Sequence, residues 1–144
     1  MSEQLVIDPL KFALAGASLD GAVDVARLHR LHDLLRESAG AIQYSLHGAI
    51  NSEGKPTLKL SLAGSLILEC QRCLKALQFS VQLHEELIVA RSEREMDSII
   101  QAEDAQECIL AGERLSVPEL VEDEVLLGLP ISAKHPDCAY PGRA

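Results

Sequence analysis

Along residues 56–89 apolar and polar side chains alternate twice, once on either side of a short break that holds two cysteines. Before the break Leu58, Leu60, Leu62, Leu66 and Leu68 alternate with Lys59, Ser61, Ala63 and Ser65. After it Phe79, Val81, Leu83, Leu87 and Val89 alternate with Gln78, Ser80, Gln82 and Glu86. A period of two marks a strand with one buried face, so the pattern predicts a long β-hairpin folded back at Cys70-Gln71-Arg72-Cys73. Residues 41–50 repeat the alternation, with Ile42, Tyr44, Leu46 and Ile50 against Gln43, Ser45 and His47, and Asn51-Ser52-Glu53-Gly54 supplies a turn into the hairpin. The prediction is an α+β domain: a curved antiparallel sheet, a meander that could close toward a barrel, covered by two principal helices.

The first helix is expected after Asp20-Gly21, where Val25, Leu28, Leu31 and Leu35 fall near one face and Gly40 offers a stop. Before it, residues 5–14 read as a short strand interrupted or ended by Pro9, which lacks a ladder amide. The second helix follows Ser116-Val117-Pro118-Glu119, a capping box with proline in the first turn, and ends at Gly128 and Pro130. Leu120, Val121, Val125 and Leu127 give it a burying surface. Glu124 lies at the boundary of that surface, or partly buried with a donor, because a desolvated carboxylate needs partners. Between the hairpin and this helix, residues 91–107 read as a flexible or partly helical acidic loop, after which Cys108-Ile109-Leu110-Ala111 can return briefly to the sheet. One domain over 1–144 with a polar tail at 131–144 is the expected organisation.

Composition narrows the function. The chain of 144 residues is 47% hydrophobic, enough for one sizeable core, but only 3% aromatic. Thirteen basic against 22 acidic residues leave a formal net charge of -9. Such a field disfavours avid binding to naked nucleic acid, and the scarcity of aromatics disfavours base-stacking platforms. No apolar run is long enough for a membrane span and no secretory leader is legible, so a cytoplasmic protein is expected. There, four cysteines are thiols or metal ligands rather than disulfides.

Cys70 and Cys73 have the spacing of two tetrahedral zinc ligands, and Cys138 with His135 could complete such a site from the tail. The same spacing also fits plain thiols or a redox pair, although the strand context is wrong for a thioredoxin-like thiol. Cys108, flanked by apolar residues, reads as a small buried hydrophobe. His29 and His32 could meet on one side of the predicted helix but form no ligand set with a cysteine. No phosphate loop, nucleophile elbow or zinc-protease helix is present, so no enzyme is expected.

Leu68-Glu69-Cys70-Gln71-Arg72-Cys73-Leu74, the acidic middle, Leu120-Val121-Glu122-Asp123-Glu124-Val125-Leu126-Leu127-Gly128-Leu129-Pro130 and a following cysteine together resemble the YceD family, the large ribosomal RNA subunit accumulation proteins. The resemblance implies a bacterial, non-enzymatic factor supporting 23S ribosomal RNA accumulation and large-subunit biogenesis, with Cys70, Cys73 and Cys138 matching the family's cysteine positions. The implied partners are a ribosomal protein, an assembly factor or pre-ribosomal RNA. A basic protein could be held by Glu93, Glu95, Asp97, Glu103, Asp104, Glu119, Glu122 and Asp123. RNA could be met directly by Arg27, Arg30, Arg36, Arg72 and Lys75. The alternative is a small zinc- or thiol-dependent regulatory module unrelated to ribosomes.

Overall fold

The structure, a computed structural model, describes residues 5–101, 107–112 and 114–129. In chain order its elements are β1 (Val6–Ile7), α1 (Pro9–Ala15), β2 (Ser18–Asp24), two 3₁₀ turns (Val25–Arg27 and His29–Leu34), β3 (Leu35–Glu37), β4 (Ala41–Ile50), β5 (Pro56–Glu69), β6 (Ala76–Ala90), α2 (Glu93–Gln101), β7 (Cys108–Leu110), β8 (Leu115–Ser116) and α3 (Val117–Gly128).

β5 and β6 form the hairpin that the alternation predicts, in register from Thr57 opposite Ile88 to Glu69 opposite Ala76. β4 pairs with the other edge of β5, and β2 with β4. The rows Leu19, Leu46, Leu60 and Val23, Ile42 therefore share one face. Against that face pack the 3₁₀ turns through Val25, Leu28 and Leu31 and α3 through Val117, Leu120, Val121 and Val125, all buried in one core. α1 lies flush on the same face. A Cβ at Gly48 would stand 2.3 Å from the Phe12 carbonyl oxygen, so only glycine permits this approach. α2 covers the opposite face at one end of β6, where Ile88, Ala90 and Ile99 form a second small core with Met96 and Cys108.

The expected architecture needs correction. The main sheet is mixed rather than antiparallel, because β7 joins β6 in parallel, Ile88 opposite Cys108 and Ala90 opposite Leu110. A parallel neighbour cannot follow a tight turn and needs a crossover, and α2 lies in that connection. The sheet is open, running β2-β4-β5-β6-β7 with β3 beside β5, and is neither closed nor curled into a barrel. Among the described residues, three α-helices and two 3₁₀ turns stand where two principal helices were expected.

The helix expected from Gly21 is absent for a readable reason. Val25, Leu28 and Leu31 recur at an interval of three, which 3₁₀ turns align on one side, and Leu35, whose interval of four completes the α-helical pattern, opens β3 instead. All three are buried, and the chain passes into β3 at Leu35. β2 takes the preceding residues, its alternation concealed in the sequence by Gly21, an exposed glycine at the parity of Leu19 and Val23. That position is glycine because a Cβ would lie 2.7 Å from the Tyr44 hydroxyl. Pro9 ends the first strand region by opening α1, with Asp8 accepting from the Lys11 N–H at 3.2 Å as its cap.

Ser116 caps α3, its Oγ accepting from the Glu119 N–H at 3.4 Å. Ser116→Ala should lower stability by about 1 kcal/mol, read as a shift of the urea midpoint at constant slope. A loss several times larger would mean that the serine does more than cap.

Candidate functional site

Two places gather chemistry: the junction of α3 with the 3₁₀ turns and the end of the sheet, and the cysteine bend at the far end of the hairpin.

At the junction, Arg30 clamps α3 to the turn that carries it. Its Nε donates to Glu122 Oε1 and its backbone N–H to Glu122 Oε2, both at 2.8 Å. Its Nη2 meets Asp123 Oδ1 at 2.6 Å and the Glu119 carbonyl at 3.4 Å. The Glu122 side chain is only 9% exposed, so this pair is partly desolvated and geometrically fixed. Both carboxylates hold the Arg30 guanidinium proton more tightly than in a free arginine.

The other side of α3 has a different chemistry. Glu124 is buried, and its carboxyl stands with those of Glu85 and Glu107, ligand atoms all within 4.8 Å of one another. Burial, then a hydrogen bond to Glu107, then the charges of Glu107, Glu85 and Asp123 push the Glu124 pKa up to about 8. Near neutral pH it is a protonated carboxyl that can donate to Glu107. Three carboxyls can in principle chelate a cation, although they bring neither histidine nor cysteine and only Glu124 is buried. Beside them a groove of about 410 Å³ runs between α3 and β7, with Leu87, Ile109 and Leu120 in its lining and Leu127, 72% exposed, at its rim.

One signal for this cluster stood in the sequence. Glu85 occupies the parity of Leu83 and Leu87 in β6, which puts a carboxylate on the α3 side of the sheet. Glu107 as the partner carries no such signal.

At the bend, Cys70 is buried and Cys73 half-buried, both as thiols. The N–H groups of Arg72 and Cys73 donate to Cys70 Sγ at 3.4 Å each. The Cys70 N–H donates to the Lys75 carbonyl at 2.9 Å and the Leu74 N–H to the Cys70 carbonyl at 2.8 Å. Leu74 takes φ +65°, the one positive φ outside glycine among the described residues. Arg36 reaches over from β3, its Nη1 donating to the Leu74 carbonyl at 2.8 Å.

Of the basic residues named from the sequence, Arg36, Arg72 and Lys75 thus meet at the bend, while Arg30 is turned into α3 and Arg27 lies on the exposed face of the first 3₁₀ turn. Of the acidic ones, Glu93, Glu95 and Asp97 lie on α2, with Glu95 accepting from the Arg91 N–H at 2.7 Å. Glu119 is exposed on α3, whereas Glu122 and Asp123 serve the clamp. Gly128 is the last residue of α3. Glu103, Asp104, Pro130, His135 and Cys138 lie outside the described residues. Cys108 packs under α2, and burial raises its thiol pKa. The His29 and His32 rings meet edge to face, centroids 5.2 Å apart, within one 3₁₀ turn rather than on an α-helix. Among the described residues no helix is long and apolar enough to cross a membrane.

A family model described as large ribosomal RNA subunit accumulation protein YceD matches residues 58–143, a stretch that takes in the hairpin, the cysteine bend and α3. No solved structure matches the chain.

Proposed function

Because the chain belongs to the YceD family, whose role is non-enzymatic and tied to large ribosomal RNA accumulation, we propose that it supports large-subunit biogenesis by holding a basic protein partner in the groove beside α3. The observation that carries this reading is Leu127, 72% exposed at the mouth of an apolar groove whose lining also includes Glu107, Asp123 and Glu124. An apolar floor with the acidic side chains of Glu107 and Asp123 beside it suits a cationic, amphipathic segment of a ribosomal protein or assembly factor. The overall charge of -9 adds long-range attraction for such a partner. The place of action is the cytoplasm, where large subunits are assembled.

Affinity capture of the tagged chain at low and high salt tests this. Large-subunit precursors and ribosomal proteins should be recovered at low salt and lost at high salt, since surface charge contacts are screened. Leu127→Asp should abolish recovery with only a small fall in melting temperature, because the side chain it replaces is already in water and the cost is that of an acidic residue in the last turn of α3. Undiminished recovery with Leu127→Asp would remove the groove from the interaction.

A second reading has one observation in its favour, the meeting of Arg36, Arg72 and Lys75 at the bend. Three cations on one corner of an acidic protein could touch ribosomal RNA phosphates directly. Reversing the charge of Arg72 and Lys75 would then lower RNA recovery while leaving protein recovery intact.

A further inference from the structure

We propose that the outer edge of β2 is a docking site for an extended segment of a basic protein, one that alternates cationic with apolar residues and adds to the sheet as a further strand.

β2 ends the strand order, and among the described residues β4 is its one ladder partner. The Gly48 N–H donates to the Ala17 carbonyl at 2.8 Å, and the Val25 N–H to the Gly40 carbonyl at 2.9 Å. Alternate residues of an antiparallel strand bond to the same neighbour, so between those two bonds Leu19, Gly21 and Val23 are the residues tied to β4. Ser18, Asp20, Ala22 and Asp24 turn their N–H and C=O groups the other way, and all four are exposed.

Sheets commonly blunt such an edge with lysine, proline or a bulge. β2 has none of these: it reads Ser-Leu-Asp-Gly-Ala-Val-Asp, and its register with β4 is unbroken from Ser18 opposite His47 to Asp24 opposite Ala41. It carries negative charge instead. Asp20 and Asp24 share one face of the strand, and among the described residues neither carboxylate has an ion pair or a hydrogen bond. That charge selects the occupant. A second copy paired through β2 would gather four aspartates on one face of the seam, and like charges across a strand pair repel. A lysine or arginine opposite each aspartate is attracted, and the net charge of -9 draws such a segment in from a distance.

The other face of the seam selects apolar side chains. Leu19 is half-buried there, and Tyr44 leans from β4 over Gly21, its hydroxyl 2.7 Å from where a Cβ of Gly21 would stand. The ring therefore reaches the edge strand, and an apolar residue of the added strand beside Gly21 rests on Tyr44 and Leu19. Main-chain bonds to the outward groups supply affinity, and the two rows of side chains supply selectivity. β2 and β7 stand at opposite ends of the strand order, so this site is separate from the groove between α3 and β7.

The experiment uses the full chain and a capped peptide of alternating lysine and valine, long enough to span β2. Hydrogen exchange read by NMR should show the amides of Ser18, Asp20, Ala22 and Asp24 newly protected when peptide is added. Those of Leu19, Gly21 and Val23, already bonded to β4, should change little. Asp20→Asn combined with Asp24→Asn, both at exposed positions, should weaken binding about fivefold. Ala22→Pro removes one outward N–H from an edge strand that tolerates proline, and should weaken binding roughly tenfold. A peptide with glutamate in place of lysine should not bind. Failure of the lysine peptide to bind, protection around α3 instead of β2, or undiminished binding by the double asparagine variant would overturn the proposal. So would protection of the same four amides that rises with protein concentration in the absence of peptide, which would make the occupant a second copy.

Discussion

Raising the pH from about 4.5 to 8 should cost this protein stability on the order of 4 kcal/mol through Glu124 alone, and Glu124→Gln should remove that cost. The sign follows from the folded state holding the proton more tightly. Burial, the bond to Glu107 and the charges of Glu107, Glu85 and Asp123 raise the folded pKa from 4.5 to about 8. Below 4.5 the group is protonated in both states and its contribution is fully present. Between 4.5 and 8 the unfolded chain loses the proton first, so unfolding is progressively favoured. Above 8 the penalty is complete and levels off. Glutamine keeps the shape and a donor for Glu107 without the charge, so the variant should be the more stable protein at pH 8 and nearly equal to the parent at pH 4.5. Urea denaturation of both at several pH values isolates the cluster around Glu124, because titrations remote from it cancel in the difference. Parallel curves would show that the three carboxyls do not repel.

Arg30→Met should destabilise the fold by about 2 kcal/mol, although half of the arginine side chain is in solvent. The loss comes mainly from what is left behind. Glu122 would keep one bond, from the backbone N–H of residue 30, but lose its cationic partner at a site 9% exposed. Arg30→Lys should recover only part of the stability, since an ammonium cannot reach Glu122, Asp123 and the Glu119 carbonyl with one planar fork. The double variant Arg30→Met with Glu122→Gln should cost less than the sum of the two single changes. Simple additivity in the denaturant midpoints would mean that the clamp contributes no coupling.

The long hairpin was legible because fourteen residues of β5 and fifteen of β6 hold a period of two, a signal that no helix can imitate over such a length. The cap of α3 was legible for a similar reason: Ser116 and Pro118 are local devices. Residues 25–34 were misread because Val25, Leu28, Leu31 and Leu35 fit an α-helical face as well as they fit two 3₁₀ turns leading into a strand. β7 could be placed near the sheet from its apolar run, but its direction depends on a crossover that no local pattern records. Nor does a local pattern pair Arg30 with Glu122, 92 residues away. A buried glutamate whose neighbours are two more glutamates runs against the expectation that buried charge meets opposite charge, and only Glu85's parity hinted at it.

The two-residue clasp between β1 and β8 has a bearing on the order of events in synthesis. Val6 pairs with Ser116 and Ile7 with Leu115, and the Val117 N–H donates to the Leu5 carbonyl at 2.8 Å. Closing a loop of that length costs about 4 kcal/mol in chain entropy, more than so few ladder bonds return. The clasp therefore forms on a domain that has already condensed around the β4–β6 meander, whose contacts are local in sequence and quick to close. On the ribosome, α3 leaves the exit tunnel after every described strand that it packs against, and its first turn is pinned only when residues 5–7 come round to meet it. The start of α3 is consequently secured last, by two of the most widely separated parts of the described chain, and a nascent chain halted before residue 115 lacks the helix that forms one wall of the groove.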